Sequence, residues 1–182
     1  MDRRGQYSRR VACAMTSEDS PAGRVQQAIL DSSEAEVVEL AIALLAGYNV
    51  GDEFLLVAGG PHAQGLIDGA PPLYWPEVWG ARVLLHAWND SAAPAVLAGL
   101  QNQAWRVREM CCRVTATRRL DGATYLRELL TDDTARVRAA AARALGDVGS
   151  ADDVEALSAL FKDPEIDVRR AAQQAKTAIE KR

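Results

Sequence analysis

Four arginines recur at a spacing that could gather their guanidinium groups. Arg106 and Arg113 are seven residues apart, and Arg136 and Arg143 repeat that pair 30 residues later. Seven residues make nearly two helical turns, so each pair shares a face, and stacked helices would bring the four into one patch. Guanidinium forks grip carboxylates and phosphates. The same four could equally form a solvated face partly neutralised by Glu109. The four tryptophans all fall between Trp75 and Trp105, with Trp75 and Trp79 at i, i+4 and His86 seven residues beyond Trp79. Tryptophan combines a large apolar area with one donor and recurs at binding hot spots, which makes Trp79 and Trp105 candidate contact residues. Alternatively, the rings fill a loosely packed core.

No catalytic constellation accompanies these residues. No histidine stands near a nucleophile in sequence, and there is no paired-carboxylate motif. His62 and His86 are far from any cysteine pair, so no metal spacing exists. An odd set of three cysteines, Cys13 and the neighbours Cys111 and Cys112, is no disulfide framework and reads as reduced thiols of a cytoplasmic protein. The stretch AGGPHAQGLIDGAPP resembles a phosphate loop only in its glycines. It follows no strand and lacks Gly-Lys-Ser/Thr, so it reads as a loop connecting helices. No cofactor and no metal are expected.

An internal repeat must position the candidates. LQNQAWRVREMCCRV, LTDDTARVRAAAARA and FKDPEIDVRRAAQQA align, with Val-Arg dipeptides at Val107, Val137 and Val168, 30 and 31 residues apart. Five residues before each valine stands a helix-capping type, Asn102, Asp132 or Asp163. The pattern predicts a long helix starting at each, with Pro164 at a first helical position. Each long helix carries an apolar i, i+4, i+7 stripe: Val107, Cys111, Val114; Val137, Ala141, Ala144; Val168, Ala172, Ala175. Shorter helices are predicted over 92–101, 121–130 and 151–161, and a turn at Gly146–Gly149. Upstream, Ser33-x-x-Glu36 is a capping box before VVELAIALLAG, and Pro76-Glu77 opens VWGARVLLHAW. Val37 and Val78 take the valine slot, while Arg82 falls where other repeats have a small apolar residue. The surplus length lies in the Gly/Pro-rich 59–72. Five helix pairs result, about 22–47, 52–89, 91–117, 120–147 and 150–181, making one repeat domain over 21–182 after a disordered tail, 1–20.

Composition agrees. The 182 residues are 48% apolar and only 5% aromatic, with alanine prominent. Alanine is the best helix former and permits close helix approach. No apolar run reaches the ~20 residues that span a bilayer. The tail's Arg3, Arg4, Arg9 and Arg10 precede no apolar segment of signal-peptide length, and Met15 opens a more typical start, MTSEDSPAG. Residues 25–100 carry nine acids against one base, and 101–182 carry fifteen bases against thirteen acids.

The run Asp132…Val137-Arg138-x-x-Ala141-x-x-Ala144-Leu145-Gly146-x-x-Gly149, followed by Leu157-x-x-Leu160-x-x-Asp163…Val168-Arg169-x-x-Ala172, resembles the HEAT-repeat family in its short bacterial, PBS-lyase-like form. The likeness is strongest over 121–180. It implies an all-α superhelix, with the short helices outside and the long helices lining the inner face. It also implies an arginine–aspartate ladder of Arg108, Arg138 and Arg169 with Asn102, Asp132 and Asp163. Most members bind another protein as scaffolds, so the expectation is a non-enzymatic, monomeric, cytoplasmic module whose partner presents an acidic or amphipathic segment. Other branches assist phycobilin attachment or bind damaged DNA, and an enzyme or enzyme accessory of that kind is the alternative. A pI near 5.3 argues against nucleic acid.

Overall fold

The computed structural model describes residues 19–182, and those residues form eleven α-helices, three short 3-10 turns and no strand. Residues 1–18, which hold most of the predicted tail, lie outside the described residues. Ser20, placed in that tail by sequence, instead caps the first helix, its hydroxyl accepting from Gly23 N–H at 3.0 Å. The chain divides into two compact units, one ending at Asn89 and the other beginning at Asp90.

The first unit contains α1 (Pro21–Asp31), α2 (Glu34–Leu45), α3 (Asp52–Gly59), α4 (Pro61–Ile67) and α5 (Trp75–Val83). Ser33 starts α2 by accepting from Glu36 N–H at 3.2 Å. Val37, Val38, Ala41 and Leu44 then form its buried side. Helix α5 packs on α2 at Gly80, where a Cβ would stand 2.6 Å from Leu45 N and 2.8 Å from Ala41 O. Only glycine permits that approach.

Two expectations fail in this unit. The predicted loop over 59–72 is largely helix: α3 runs to Gly59, and α4 starts at Pro61, whose fixed φ suits a first helical position. The reversal between them falls on Gly60, at φ +61°. The helix predicted to continue through Trp88 ends at Val83, so His86 does not extend the face of Trp79. Arg82, out of place in an apolar slot, donates from Nη2 to Ala58 O at 2.6 Å, while Arg24 Nε donates to Val57 O at 3.1 Å. Two cations thus meet the negative end of α3. Burial first, and then the like charge of Arg24, lower the Arg82 pKa.

The second unit contains α6 (Ala93–Gly99), α7 (Trp105–Arg118), α8 (Ala123–Leu129), α9 (Ala135–Val148), α10 (Val154–Ala159) and α11 (Ile166–Glu180). Each short helix packs on the long helix that follows it, and α9 lies between α7 and α11. All nine residues of the three predicted stripes are buried. They are small, so the axes come close; alanine brings little area of its own, and contact density supplies the packing energy.

Here too the sequence reading needs correction. The long helices start at Trp105, Ala135 and Ile166, three residues after the expected caps. Asn102, Asp132 and Asp163 accept instead from the N–H of Ala104, Thr134 and Glu165, at 2.8, 2.8 and 2.9 Å. Each closes a side-chain turn two residues long, just ahead of the helix. Pro164 therefore lies in a turn. Gly146 is no turn residue: α9 passes through it, and a Cβ there would meet Ala175 Cα at 3.0 Å.

Candidate functional site

One oxygen of each turn aspartate closes its own turn, and the carboxylate still has capacity to accept from a neighbour. Arg108 donates from Nη1 to the carbonyls of Asn102 and Gln103, at 2.7 and 2.9 Å, and from Nε to Asp132 Oδ2 at 2.7 Å. Arg138 repeats this one helix pair later. Its Nη1 donates to Asp132 O and Asp133 O, while Nε and Nη2 reach Asp163 Oδ2 and Oδ1 at 2.8 and 3.0 Å. Both aspartate side chains are 6% exposed. The Arg138 hydrogen bond, foremost, holds the Asp163 carboxyl below its ordinary value despite opposing desolvation, and the same bond raises the Arg138 pKa. Arg169 donates from Nη1 to Asp163 O and Pro164 O, at 2.7 and 2.9 Å. The Asn102 side chain accepts from Ala104 N–H, and the Asn102 carbonyl from Arg108.

The second candidate set lies on the long helices. Trp105, at the start of α7, is partly exposed. Arg106 sits over its ring at 4.2 Å from the centroid, and Arg136 of α9 approaches to 5.4 Å. Cations at these distances are attracted by the electron-rich face of an indole. Arg136 also pairs with Glu109, Nη2 to Oε1 at 3.0 Å. Arg136 and Arg143 line a groove of about 420 Å³ with Glu109, Glu165 and Asp167. The expected patch of four guanidinium groups is therefore a mixed groove in which two arginines face three carboxylates. Arg113 is exposed on α7 and does not line it.

Trp79, a candidate contact residue by sequence, is buried. It is 4% exposed and its ring lies over Gly59, where a Cβ would stand 2.6 Å away. The ring occupies the space a side chain on α3 would need, which is the packing role its sequence position left open. Trp75, stacked on it with centroids 6.4 Å apart, is 36% exposed.

An ion pair that sequence reading missed joins Arg127 of α8 to Asp153, Nε to Oδ1 at 2.9 Å, with the aspartate 2% exposed. Asp153 also accepts from Ser150 N–H at 2.8 Å. The signal was present as Ser150-x-x-Asp153, a capping-box spacing. Cys111 and Cys112 are buried and free. Burial pushes the Cys111 thiol up to about 12 and raises that of Cys112 as well, so neither is an activated nucleophile. Among the described residues no group of three or more His, Cys, Asp or Glu could hold a metal ion, and no helix is long and apolar enough to cross a membrane.

Residues 93–175 match the family model described as HEAT repeats. No curated protein matches the chain. The matched span covers the stacked helix pairs and both arginine–aspartate rungs, so residues 93–175 of this all-α chain are built as HEAT repeats.

Proposed function

We propose that the protein is a non-enzymatic interaction scaffold whose long-helix face holds an amphipathic segment of another protein. HEAT repeats generally serve as protein-interaction scaffolds. The observation that carries the reading is the indole of Trp105, partly exposed between Arg106 and Arg136, next to a groove of mixed charge. An apolar side chain of the segment packs on the indole. Its carboxylates meet Arg136 and Arg143, its bases meet Glu165 and Asp167, and Arg113 extends the cationic rim. Three carboxylates against two arginines suit such a segment better than the phosphate backbone of a nucleic acid, which needs a run of cations. The adjacent buried, unbridged thiols support a cytoplasmic setting, and we take the module to act as a monomer.

The test is affinity capture from the source cell with wild type, Arg106→Glu/Arg136→Glu and Trp105→Ala. Rim charges set encounter rate and salt dependence, whereas a desolvated aromatic anchor sets the off-rate. The charge reversal should therefore lose the partner most clearly at low salt, and Trp105→Ala at every salt concentration. Retention of the same partner by both variants would place binding elsewhere.

A further inference from the structure

The ladder is complete at two rungs and open at the third. Arg108 and Arg138 each use Nη1 on the carbonyls of their own turn and Nε on the carboxylate of the next turn. Arg169 is held in the same way by Nη1, on Asp163 O and Pro164 O. Its Nε and Nη2 have no partner among the described residues. A guanidinium fork has thus been oriented by its own turn with its carboxylate-binding edge unused.

The rest of that face has changed character. Ala139, Ala142 and Gly146 of α9 are buried and allow α11 to approach. The residues 31 positions later on α11 are Arg170, Gln173 and Thr177, all exposed. Arg169, Gln173 and Thr177 recur every four residues and so lie along one side of the helix. A shallow hollow of about 430 Å³ continues that side, lined by Gln173, Gln174, Thr177 and Lys181 with no carboxylate. Long polar side chains in place of Ala and Gly cannot seat another helix at the α9–α11 distance. Three bases, Arg169, Arg170 and Lys181, give the face a positive sign.

We propose that this exposed face of α11 is a second binding site, distinct from the Trp105 groove, which takes an acidic segment of a partner protein. One carboxylate of the segment accepts from Arg169 Nε and Nη2 as Asp163 accepts from Arg138. The remaining acids lie along Arg170, Gln173 and Lys181. Charge complementarity and the pre-set fork select this occupant: the arginine is already fixed by two carbonyls, so little side-chain freedom is lost on binding.

The experiment is a nitrogen–proton NMR titration of the full chain with a synthetic peptide of alternating Asp and Ala, against the Asn and Ala peptide as control. The Arg169 Nε–Hε resonance and the amides of Gln173 and Thr177 should shift with the Asp peptide and not with the Asn peptide. Arg169→Gln should weaken the titration about tenfold or more, the usual scale for a charge-assisted pair. Arg170→Gln should mainly reduce its salt dependence. Because Arg169→Gln also removes bonds to its own turn, the Asn peptide supplies a control that leaves the protein untouched. An unmoved Arg169 resonance, equal shifts with both peptides, or shifts confined to Trp105 and Arg136 would each overturn the proposal; the last would assign acidic segments to the long-helix groove instead.

Discussion

Replacing Asp163 with alanine tests the ladder where its geometry is fullest. The change removes two charge-assisted hydrogen bonds from Arg138 and the acceptor of Glu165 N–H. A hydrogen bond to a charged group contributes about 1.5–3 kcal/mol net, and loss of a capping side chain costs about 0.5–2 kcal/mol. The contributions overlap, and Arg138, whose side chain is 14% exposed, can regain some water. The expected loss is about 2–4 kcal/mol. Asp132 gives Arg108 one such bond, so Asp132→Ala should cost less, about 1–3 kcal/mol. Denaturant unfolding at neutral pH measures both. Acid supplies a second reading. The folded pKa of Asp163 is depressed, so its contribution is complete above the ordinary value of 3.8 and is lost as pH falls through the lowered one. The gap between wild type and Asp163→Ala should be steady down to about pH 5 and close in stronger acid. A variant as stable as wild type, or a gap that widens in acid, would refute the reasoning.

Three further expectations concern packing. Gly80→Ala gains about 1 kcal/mol of helix propensity, but its Cβ meets backbone atoms of α2, so the variant should be destabilised by about 1–3 kcal/mol in the same assay. Iodide should quench a distinct fraction of the tryptophan emission, most of it removed by Trp75→Phe, whereas Trp79→Phe should leave the quenchable fraction in place. Cys111 and Cys112 should resist a thiol reagent in the native Cys13→Ser protein at pH 8 and react in full once the chain is unfolded, because both are buried and the Cys111 thiol is pushed up to about 12.

The second unit was legible because its repeats are regular. Val107, Val137 and Val168 fixed the phase, and each predicted stripe residue is buried. The family resemblance pointed to the ladder of arginines with Asp132 and Asp163, and both aspartates do hold the arginine of the preceding helix pair; what misled was reading these residues as helix caps. Asn102, Asp132 and Asp163 look like caps, but their bond falls two residues on; Asp132 links helix pairs through its other oxygen and Asp163 through both. Gly146 looked like punctuation because glycine usually ends a helix; here the close approach of Ala175 demands it inside one. The first unit was harder. Pro61 and four nearby glycines suggested a loop, yet a proline at the first helical position and a positive φ at Gly60 are compatible with two short helices. Of the candidate contact residues, Trp105, Arg106 and Arg136 converge, and Arg143 lines the adjoining groove. Trp79 turned inward because Gly59 leaves room for its ring, a long-range fit that periodicity does not encode.

The proposed function puts another protein along the long-helix face. Site-specific photo-crosslinking in the source cell tests it most directly, with the photoreactive residue at Arg143 in the groove or at exposed Glu128 on the short helix α8. A discrete adduct with one protein should form from position 143, weakened by Trp105→Ala, and none from position 128. An adduct from Glu128 as strong as that from Arg143, or no adduct from Arg143, would contradict it.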